Sequence, residues 1–157
     1  MNNNELKDAL AGLAAGVSVV TYSQNDSFGG LTVTSFTSVS MNPPLVLFCM
    51  QKGIASDGPL QKSKSFAVNI LSSEQEDVSN GFAGKQDRTV LVNETGYKTG
   101  ETGSPLLEGC IANLDCRIHE IFEGGDHWII TGEVVSASAD MHKEPLLYFR
   151  RGYRLLS

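Results

Sequence analysis

The feature that most constrains the fold is a pair of long strand-like segments, residues 110–122 and 127–138, separated by only a short turn. The turn, Glu123-Gly124-Gly125-Asp126, contains two glycines. Glycine readily adopts the positive φ angles that a tight hairpin needs. The sequence therefore predicts one long antiparallel hairpin in the C-terminal half of the chain.

Shorter segments with the composition of strands precede this hairpin. They are rich in β-branched and other apolar residues and lie at residues 17–22, 28–34, 45–50 and 66–71. The segment 45–50 is continuously apolar and 66–71 is apolar except for Asn69, so we expect both to be buried on two faces. Asn25-Asp26-Ser27 predicts a turn between the first two strands.

Two or three short helices complete the inventory. Asn4 is a suitable N-cap for a helix over residues 5–15, in which leucines recur at helical spacing. A helical turn is expected at 60–64, and Ser72 or Ser73 is expected to cap a helix that runs to about Phe82. Residues 84–105 are predicted to be a long excursion without regular structure, and a connection of that length is usually functional or mobile.

These elements indicate a mainly β (α+β) fold with six or seven strands. The 157 residues are most simply one domain, 1–157. A small closed or nearly closed barrel is a frequent solution for such an inventory, because closure removes exposed strand edges.

Composition excludes several classes of partner. The net charge of −6 argues against nucleic acid and anionic membranes. No apolar run approaches the roughly 18 residues of a membrane span, and residues 1–5 do not resemble a signal peptide. Cys49, Cys110 and Cys116 have no CxxC spacing, which favours reduced, buried thiols in a cytoplasmic protein over disulfides or a catalytic thiol.

The motifs of most common enzyme classes are absent. The chain has no GxGxxG after a strand, no GxxxxGK[ST], no GxSxG and no HExxH. Its cysteines and histidines are too irregularly spaced for a structural zinc site, so we expect no metal.

Two segments of the N-terminal half are candidates for ligand binding. Thr32–Ser40 is rich in hydroxyl groups and leads into two prolines, Pro43 and Pro44, which impose an extended path. It is suited to a planar heteroaromatic ring with polar rim atoms, or else it is a polar edge strand. Lys52–Ser56 places a cation, a glycine and a helix-capping hydroxyl together, as in an anion site, or else it is an ordinary solvated loop.

The C-terminal half contains two further candidates. His127 follows directly on the Gly-Gly-Asp turn, and Asp126 is placed to accept a hydrogen bond from it or simply to serve the turn. The segment Leu146–Tyr153 carries three aromatic residues and two arginines, which suits ring stacking and phosphate pairing. The alternative for this segment is a terminal strand that packs its aromatic residues into the core.

Taken in order, these segments resemble one family over nearly the whole chain: flavin reductases with an FMN-binding split barrel, of Greek-key-like topology. The closest type is the short-chain NAD(P)H:flavin oxidoreductase that serves two-component monooxygenases. The resemblance is carried by Gly16–Thr21, Gly30–Ser40, Pro43–Val46, Phe66–Leu71, Phe82–Gly84, Gly103–Leu107, Gly125–His127, Gly132–Val134 and Pro145–Arg150.

The resemblance implies a homodimer that binds FMN, or FAD, together with NADH or NADPH. It implies that the flavin ring lies along Thr34, Ser35, Ser38, Val39 and Ser40, with its phosphate near Lys52 and Ser56. By the same resemblance, Phe82, Ala83 and Arg88 close the flavin site. His127 and the segment with Tyr148, Arg150 and Tyr153 meet the nicotinamide nucleotide, and His127 orients it for hydride transfer to the flavin.

The chain departs from the family pattern at two positions. Thr89 follows Arg88 where an aromatic residue is common, and Arg151 stands where glycine is expected. Two other functions remain open at this stage. One is a flavin-binding electron carrier, and the other is a split-barrel oxidoreductase that acts on an organic substrate with bound FMN.

Overall fold

The computed structural model describes residues 1–157, with four short helices and twelve strands, where the sequence predicted two or three helices and six or seven strands. Seven strands form one sheet, and the other five are only two or three residues long, too short to leave a pattern in the sequence. The helices are α1 (Asn3–Leu10), α2 (Asp57–Ser63), α3 (Glu76–Ala83) and α4 (Arg88–Thr95). The strands are β1 (Ala15–Gly16), β2 (Ser18–Gln24), β3 (Ser27–Val33), β4 (Thr37–Met41), β5 (Pro44–Gln51), β6 (Ser65–Ile70), β7 (Tyr97–Thr99), β8 (Pro105–Leu107), β9 (Ala112–Gly124), β10 (His127–Ala139), β11 (Leu147–Phe149) and β12 (Gly152–Arg154). None of the helices is both long and apolar enough to cross a lipid bilayer.

Seven strands form the main sheet, in the order β3-β2-β6-β9-β10-β5-β4. Every neighbouring pair is antiparallel. Strands β3 and β5 also contact each other although they are not hydrogen-bonded neighbours, so the sheet curls round on itself. The prediction of a mainly β split barrel is confirmed, and the opening of the barrel lies beside β3 and β5.

The long hairpin forms as predicted and has an irregularity in its middle. β9 and β10 pair from Gly124–His127 down to Ala112–Ala139, with a register shift between Thr131 and Gly132. The Thr131 hydroxyl replaces backbone hydrogen bonds at this point, because it accepts from the Glu120 N–H at 3.0 Å and donates to the Glu120 carbonyl at 3.1 Å. A Cβ atom on Gly132 would stand 2.4 Å from the Phe66 ring, so only glycine fits.

The buried apolar residues form two clusters. The cluster inside the barrel consists of Val20, Tyr22, Leu31, Val33, Val46, Phe48, Met50, Leu60, Phe66, Val68, Cys116 and Ile130. The outer cluster lies beneath α3, α4 and the C-terminal hairpin, and it consists of Val17, Val19, Leu71, Phe82, Val92, Leu107, Cys110 and Leu146. β2 supplies residues to both clusters because its successive side chains point to opposite faces.

The structure corrects two predictions in the N-terminal half. The first helix is shorter than residues 5–15, because Asn2 rather than Asn4 is its N-cap, in a reciprocal capping box with Glu5, and it ends at Leu10. The segment 45–50 is not buried on both faces. Val46, Phe48 and Met50 are buried and alternate with partly exposed residues, since one face of β5 lines the opening of the barrel.

Two predictions about the middle of the chain are also corrected. Helix α3 begins after Gln75, not after Ser72 or Ser73, because the Gln75 side chain folds back to accept from the Ser72 N–H at 3.0 Å. The excursion 84–105 is not a structureless loop. It contains α4, which Asp87 caps by accepting from the Val90 N–H at 3.0 Å, and the strand β7.

Candidate active site

A cleft of about 690 Å³ opens at the mouth of the barrel, between β3, β5 and the loop that joins α3 to α4. Its volume falls in the range of about 300–1,000 Å³ that is usual for small-molecule sites. The cleft is lined by Gly30, Leu31, Thr32, Val33, Thr34, Ser35, Cys49, Gln51, Ile54, Ala55, Ser56, Phe82, Ala83, Gly84, Lys85, Arg88 and His127. We call this the main cleft.

The structure brings part of the predicted site together here. The predicted residues that line the main cleft are Thr34, Ser35, Ser56, Phe82, Ala83, Arg88 and His127. The predicted residues that do not line it are Ser38, Val39, Ser40, Lys52, Tyr148, Arg150 and Tyr153. The lining residues that sequence reasoning missed include Gly30, Cys49, Gln51 and Lys85. They carry no local motif, and only the pairing of β5 with β10 places Gln51 beside His127.

The hydroxyl-rich segment contributes backbone donors more than side chains. Between β3 and β4, the N–H groups of Thr34, Ser35 and Phe36 donate to no acceptor within the protein. The Ser35 hydroxyl is occupied, because it accepts from the Cys49 N–H at 2.9 Å and donates to the Cys49 carbonyl at 3.2 Å. This bridge holds the segment against β5, and the N–H groups of the cleft-lining residues Thr34 and Ser35 remain available to a ligand.

Two adjacent glycines of β3 make room for aromatic rings at this wall. A Cβ on Gly30 would stand 2.7 Å from the Phe82 ring, and a Cβ on Gly29 would stand 2.0 Å from the Tyr22 ring. Phe82 is thereby seated on β3 at the edge of the main cleft. Burial raises the pKa of the Tyr22 hydroxyl, against smaller opposing influences of Ser56 and Arg88.

Arg88 fastens the opposite wall. Its guanidinium donates to the carbonyls of Gly30 (2.8 Å), Gln86 (2.6 Å) and Gly84 (2.8 Å). The first of these bonds joins the α3–α4 loop to β3, and the other two close the loop on itself. The resemblance implied that Arg88 helps to close the flavin site, and in the structure its side chain holds the α3–α4 loop against β3 and so shapes the cleft.

His127 begins β10 and reaches the main cleft from the tip of the long hairpin. Its Nδ1 lies 2.7 Å from Oδ1 of Asp126. The hydrogen bond from His127 and its charge lower the pKa of the Asp126 carboxyl below 3.8. This group is therefore a carboxylate at neutral pH and accepts a hydrogen bond from Nδ1–H of His127. Nε2 is therefore the ring nitrogen that is left to interact with a ligand.

Lys52 and Ser56 occupy different environments. The Lys52 ammonium lies 4.4 Å above the Trp128 ring and 3.3 Å from Glu123, and Lys52 does not line the main cleft. Ser56 is buried at the start of α2 and lines the cleft, but its side chain does not cap the helix. The cleft-facing backbone N–H groups of Ile54 and Ala55 have no acceptor within the protein.

A second cleft of about 390 Å³ adjoins the main cleft and shares Thr32, Thr34 and Ala83 with it. The C-terminal hairpin β11–β12 forms its far side, with Tyr148 and Tyr153 in an edge-to-face pair at 5.5 Å. The Tyr153 hydroxyl lies 2.7 Å from the Ser79 hydroxyl and donates to Asn80 at 2.9 Å, which ties the hairpin to α3. Arg150 stacks on Phe149 and lines neither cleft.

The three predicted residues of β4 lie outside the main cleft, and only one of the three cysteines lines it. Ser38, Val39 and Ser40 lie on β4, the edge strand of the main sheet, whose residues are mostly exposed. Burial raises the pKa of Cys110 to about 11 and that of Cys116 to about 12, which excludes both as nucleophiles at neutral pH. Cys49 is the one thiol that lines the main cleft.

The hydrogen-bond donors of the main cleft fit a flavin. The flavin ring system is planar and has polar atoms along one edge. The main cleft offers the backbone N–H groups of Thr34 and Ser35 beside an apolar surface from Val33 and Phe82. The cleft contains Lys85, Arg88 and His127 but no Asp or Glu, so an anionic substituent meets no opposing carboxylate there.

Comparison with known proteins agrees with this geometry. The sequence pattern of the flavin reductase like domain matches residues 10–157. The chain is 38% identical over 141 residues to a flavin reductase of Pseudomonas putida, covering 88% of this chain and 81% of that protein. It is 36% identical over 150 residues to the reductase component of 4-hydroxyphenylacetate 3-monooxygenase of Thermus thermophilus, covering 96% of this chain and 94% of that protein.

A solved structure extends the comparison to three dimensions. The NADH:FAD oxidoreductase of Streptomyces globisporus, in complex with NAD and FAD fragments, superposes with a TM-score of 0.92 at 34% identity, covering 99% of this chain and 93% of that chain. The family pattern spans nearly all of the sequence, and the relatives match in length as well as in fold. The chain belongs to the flavin reductase family.

Proposed function

We propose that the main cleft binds a flavin and that the adjoining second cleft receives the nicotinamide of NADH or NADPH. The observation that carries the proposal is the shared boundary of the two clefts at Thr32, Thr34 and Ala83, with His127 on the wall of the larger one. The protein is an NAD(P)H:flavin oxidoreductase, and the cofactors supply the hydride and its acceptor.

The protein's own contribution is positioning. The unpaired N–H groups of Thr34 and Ser35 hold the polar edge of the flavin ring, while Phe82 and Ala83 cover the opposite side. His127, held at Nδ1 by Asp126, presents Nε2 to the nicotinamide nucleotide. Tyr148 and Tyr153 bound the space that the nicotinamide enters.

A spectrophotometric assay tests the proposal. Purified protein is mixed with NADH or NADPH, and FMN, FAD or riboflavin is added in turn. We expect nicotinamide oxidation that depends on both protein and added flavin. Flat absorbance with every pair, while flavin still binds, would instead support the electron-carrier alternative.

His127→Ala tests the role of the histidine in the same assay. We expect kcat/KM for the nicotinamide nucleotide to fall by about tenfold or more, since one positioned hydrogen-bond partner is lost, with an unchanged far-ultraviolet circular dichroism spectrum. His119→Ala is the matched control, because that histidine is on the same hairpin and does not line the main cleft. An unchanged kcat/KM in His127→Ala would remove His127 from the site.

We propose that the partner is a flavin-dependent monooxygenase that consumes reduced flavin. The support is that the Thermus thermophilus relative is named as the reductase component of 4-hydroxyphenylacetate 3-monooxygenase. A coupled assay with such an oxygenase measures whether reduced flavin released by this protein sustains hydroxylation. The chain provides the reductant for the oxygenase and needs no oxygen-activating group of its own.

We further propose that the protein is a homodimer, with residues 1–157 of each copy forming a single domain. Apolar side chains remain exposed at the edge strand β4, on α1 and at the C-terminus: Val39, Met41, Leu10, Leu13, Leu155 and Leu156. A second copy that covers these residues would place Ser38, Val39 and Ser40 at the interface. Light scattering is expected to give twice the chain mass of 16.9 kDa, and one chain mass would contradict the dimer.

We propose that the protein is cytoplasmic, because its cysteines are free thiols. All three cysteines are free, and Cys110 and Cys116 are buried. Free thiols persist in reducing compartments, which supports a cytoplasmic location. Reporter fusion in a bacterial host, with cytoplasmic and exported fractions compared, tests this assignment.

A further inference from the structure

The second cleft has a single charged residue in its lining, and that residue is Arg151. It stands in the turn between β11 and β12, and every other residue of the lining is uncharged. The guanidinium donates to Asp8 of α1 through Nη2 alone, at 2.5 Å. Its Nε and Nη1 donate to no acceptor within the protein, so the side chain keeps hydrogen-bond donors for a ligand.

The contact with Asp8 does not commit Arg151 to α1. The side chains of Arg151 and Asp8 are 61% and 68% exposed. Water and salt screen an ion pair of this exposure, so it contributes little to the stability of the fold. A phosphate group can therefore share or displace the contact, because guanidinium–phosphate hydrogen bonds are charge-assisted and bidentate.

The backbone at Arg151 has a conformation that favours glycine. Its φ angle is 63°, so an arginine there carries a conformational cost that glycine would not. The exposed contact with Asp8 offsets little of that cost. Strained residues of this kind cluster at ligand sites, so the place of Arg151 in the lining of a cleft favours a role in binding.

Hydride transfer determines which end of the nucleotide reaches Arg151. The nicotinamide ring must lie at the boundary with the main cleft, at Thr32, Thr34 and Ala83, because hydride passes only between groups in contact. The adenosine half then extends toward the open side of the second cleft, where the exposed side chain of Arg151 stands. No Asp or Glu lines this cleft, so a phosphate there meets no carboxylate of the lining.

We propose that Arg151 binds the 2′-phosphate of NADPH and thereby makes the enzyme use NADPH in preference to NADH. The proposal rests on the proposed function of the second cleft as the nicotinamide site. The 2′-phosphate is the one group that distinguishes the two nucleotides, and its terminal oxygens match the free Nε and Nη1 donors. Asp8 opposes this binding, because its carboxylate competes for the same guanidinium.

The test compares NADPH with NADH in Arg151→Gln, Arg151→Lys and the unmodified protein. KM for each nucleotide is measured with saturating FMN, and Kd for NADP⁺ and NAD⁺ is measured by calorimetry with oxidised FMN present, where no turnover occurs. Arg151→Gln is expected to raise KM for NADPH and Kd for NADP⁺ by about tenfold, the usual scale of one charge-assisted bond, while the NADH and NAD⁺ values and kcat stay unchanged. Arg151→Lys is expected to keep part of the preference, since it retains the charge without the paired donors.

Asp8→Asn separates binding from a merely structural role. Removal of the competing carboxylate should lower KM for NADPH by about twofold and leave KM for NADH unchanged. The two variants Asp8→Asn and Arg151→Gln should thus move KM for NADPH in opposite directions. If Arg151 served only to attach the hairpin to α1, both variants would raise KM for both nucleotides, and that result would overturn the proposal.

Arg154→Gln is the matched control for net charge, because Arg154 lies on β12 of the same hairpin and lines neither cleft. It should leave the ratio of NADH KM to NADPH KM unchanged. The same ratio in Arg151→Gln as in the unmodified protein would overturn the role of Arg151, and so would an equal loss of affinity for both nucleotides. Failure of the proposed function looks different, because the unmodified protein would then oxidise neither nucleotide with any flavin.

Discussion

The two walls of the main cleft are built in different ways. The barrel wall consists of strands β3, β5 and β10, whose backbones are hydrogen-bonded along their length and whose inner faces pack in the barrel cluster. The loop wall, from Phe82 to Arg88, is tied to β3 by one long-range hydrogen bond, from Arg88 to the Gly30 carbonyl. Two further bonds from Arg88 close the loop on itself. One wall is supported by many redundant contacts, and the other depends on single residues.

This difference predicts which changes affect folding and which affect ligand binding. A strand in the middle of a packed sheet transmits any added volume to the core, because protein interiors are close-packed. A loop that is fastened by hydrogen bonds can detach locally while the barrel stays folded. Substitutions in the barrel wall should therefore lower the free energy of unfolding. Substitutions in the loop wall should mainly weaken the binding of a ligand in the main cleft.

The largest effect is expected for Gly132→Val on the barrel side. The added side chain would enter the space of the Phe66 ring and approach Cβ of Cys116 at 3.1 Å or less. Overpacking of this kind costs about 1–3 kcal/mol of unfolding free energy, and the bulky side chain places the change at the upper end. Urea denaturation measures it. Gly16→Ala is the control, since a Cβ there meets no atom within 4 Å, and equal stability of both variants would contradict the packing argument.

The next effect is expected for Arg88→Lys on the loop side. Lysine cannot reach all three carbonyls that the guanidinium binds, so the loop loses its attachment to Gly30. We expect Kd for FMN to rise by about tenfold, with a loss of only about 1 kcal/mol in unfolding free energy. Fluorescence titration and urea denaturation give the two numbers. A variant that loses stability as strongly as Gly132→Val would show that the two walls do not differ.

Asp126→Asn tests the orientation of His127 at the boundary of the two walls. The pair is exposed, so we expect kcat/KM for the nicotinamide nucleotide to fall only about threefold, with KM for the flavin unchanged. The pKa of Asp126 is lowered in the folded protein, so the stabilisation that its carboxylate gives through the hydrogen bond to His127 is present at neutral pH. That stabilisation is lost only as the pH falls through the lowered pKa, below 3.8. Loss of this stabilisation between neutral and mildly acidic pH in the unmodified protein would contradict the role of Asp126 as the partner of His127.

The smallest effect is expected for Arg151→Gly in the C-terminal hairpin. Arg150 and Arg151 have φ angles of 48° and 63°, a region that favours glycine. Relief of this strain is opposed by the greater flexibility of glycine in the unfolded chain and by loss of the exposed contact with Asp8. The net gain in unfolding free energy should be about 0.5 kcal/mol, which thermal unfolding can measure. A clear loss would show that the Asp8 contact matters more than the strain.

The sequence was most informative where one local pattern implies one structure. The Gly124–Gly125 turn defined the long hairpin because few residues tolerate positive φ. The helix α4 was missed because its start depends on Asp87 as a cap within a polar segment that has no strong periodicity. Part of the candidate site was predictable from the family resemblance, which singled out Thr34, Ser35, Phe82 and His127. Lys52, by contrast, does not line the main cleft, because its ammonium is held by Glu123 and the Trp128 ring.

The sequence by itself determined the mainly β fold and the long hairpin, since these follow from residue types, turns and periodicity, and its resemblance to one family identified that family. Only the tertiary structure decided which cation is available to a ligand. That depends on pairings between residues far apart in the chain, such as Arg88 with Gly30 and Lys52 with Glu123. The charge of a side chain follows from its residue type. Whether that side chain can bind a ligand depends on whether the fold brings a distant group of the protein within hydrogen-bond distance of it.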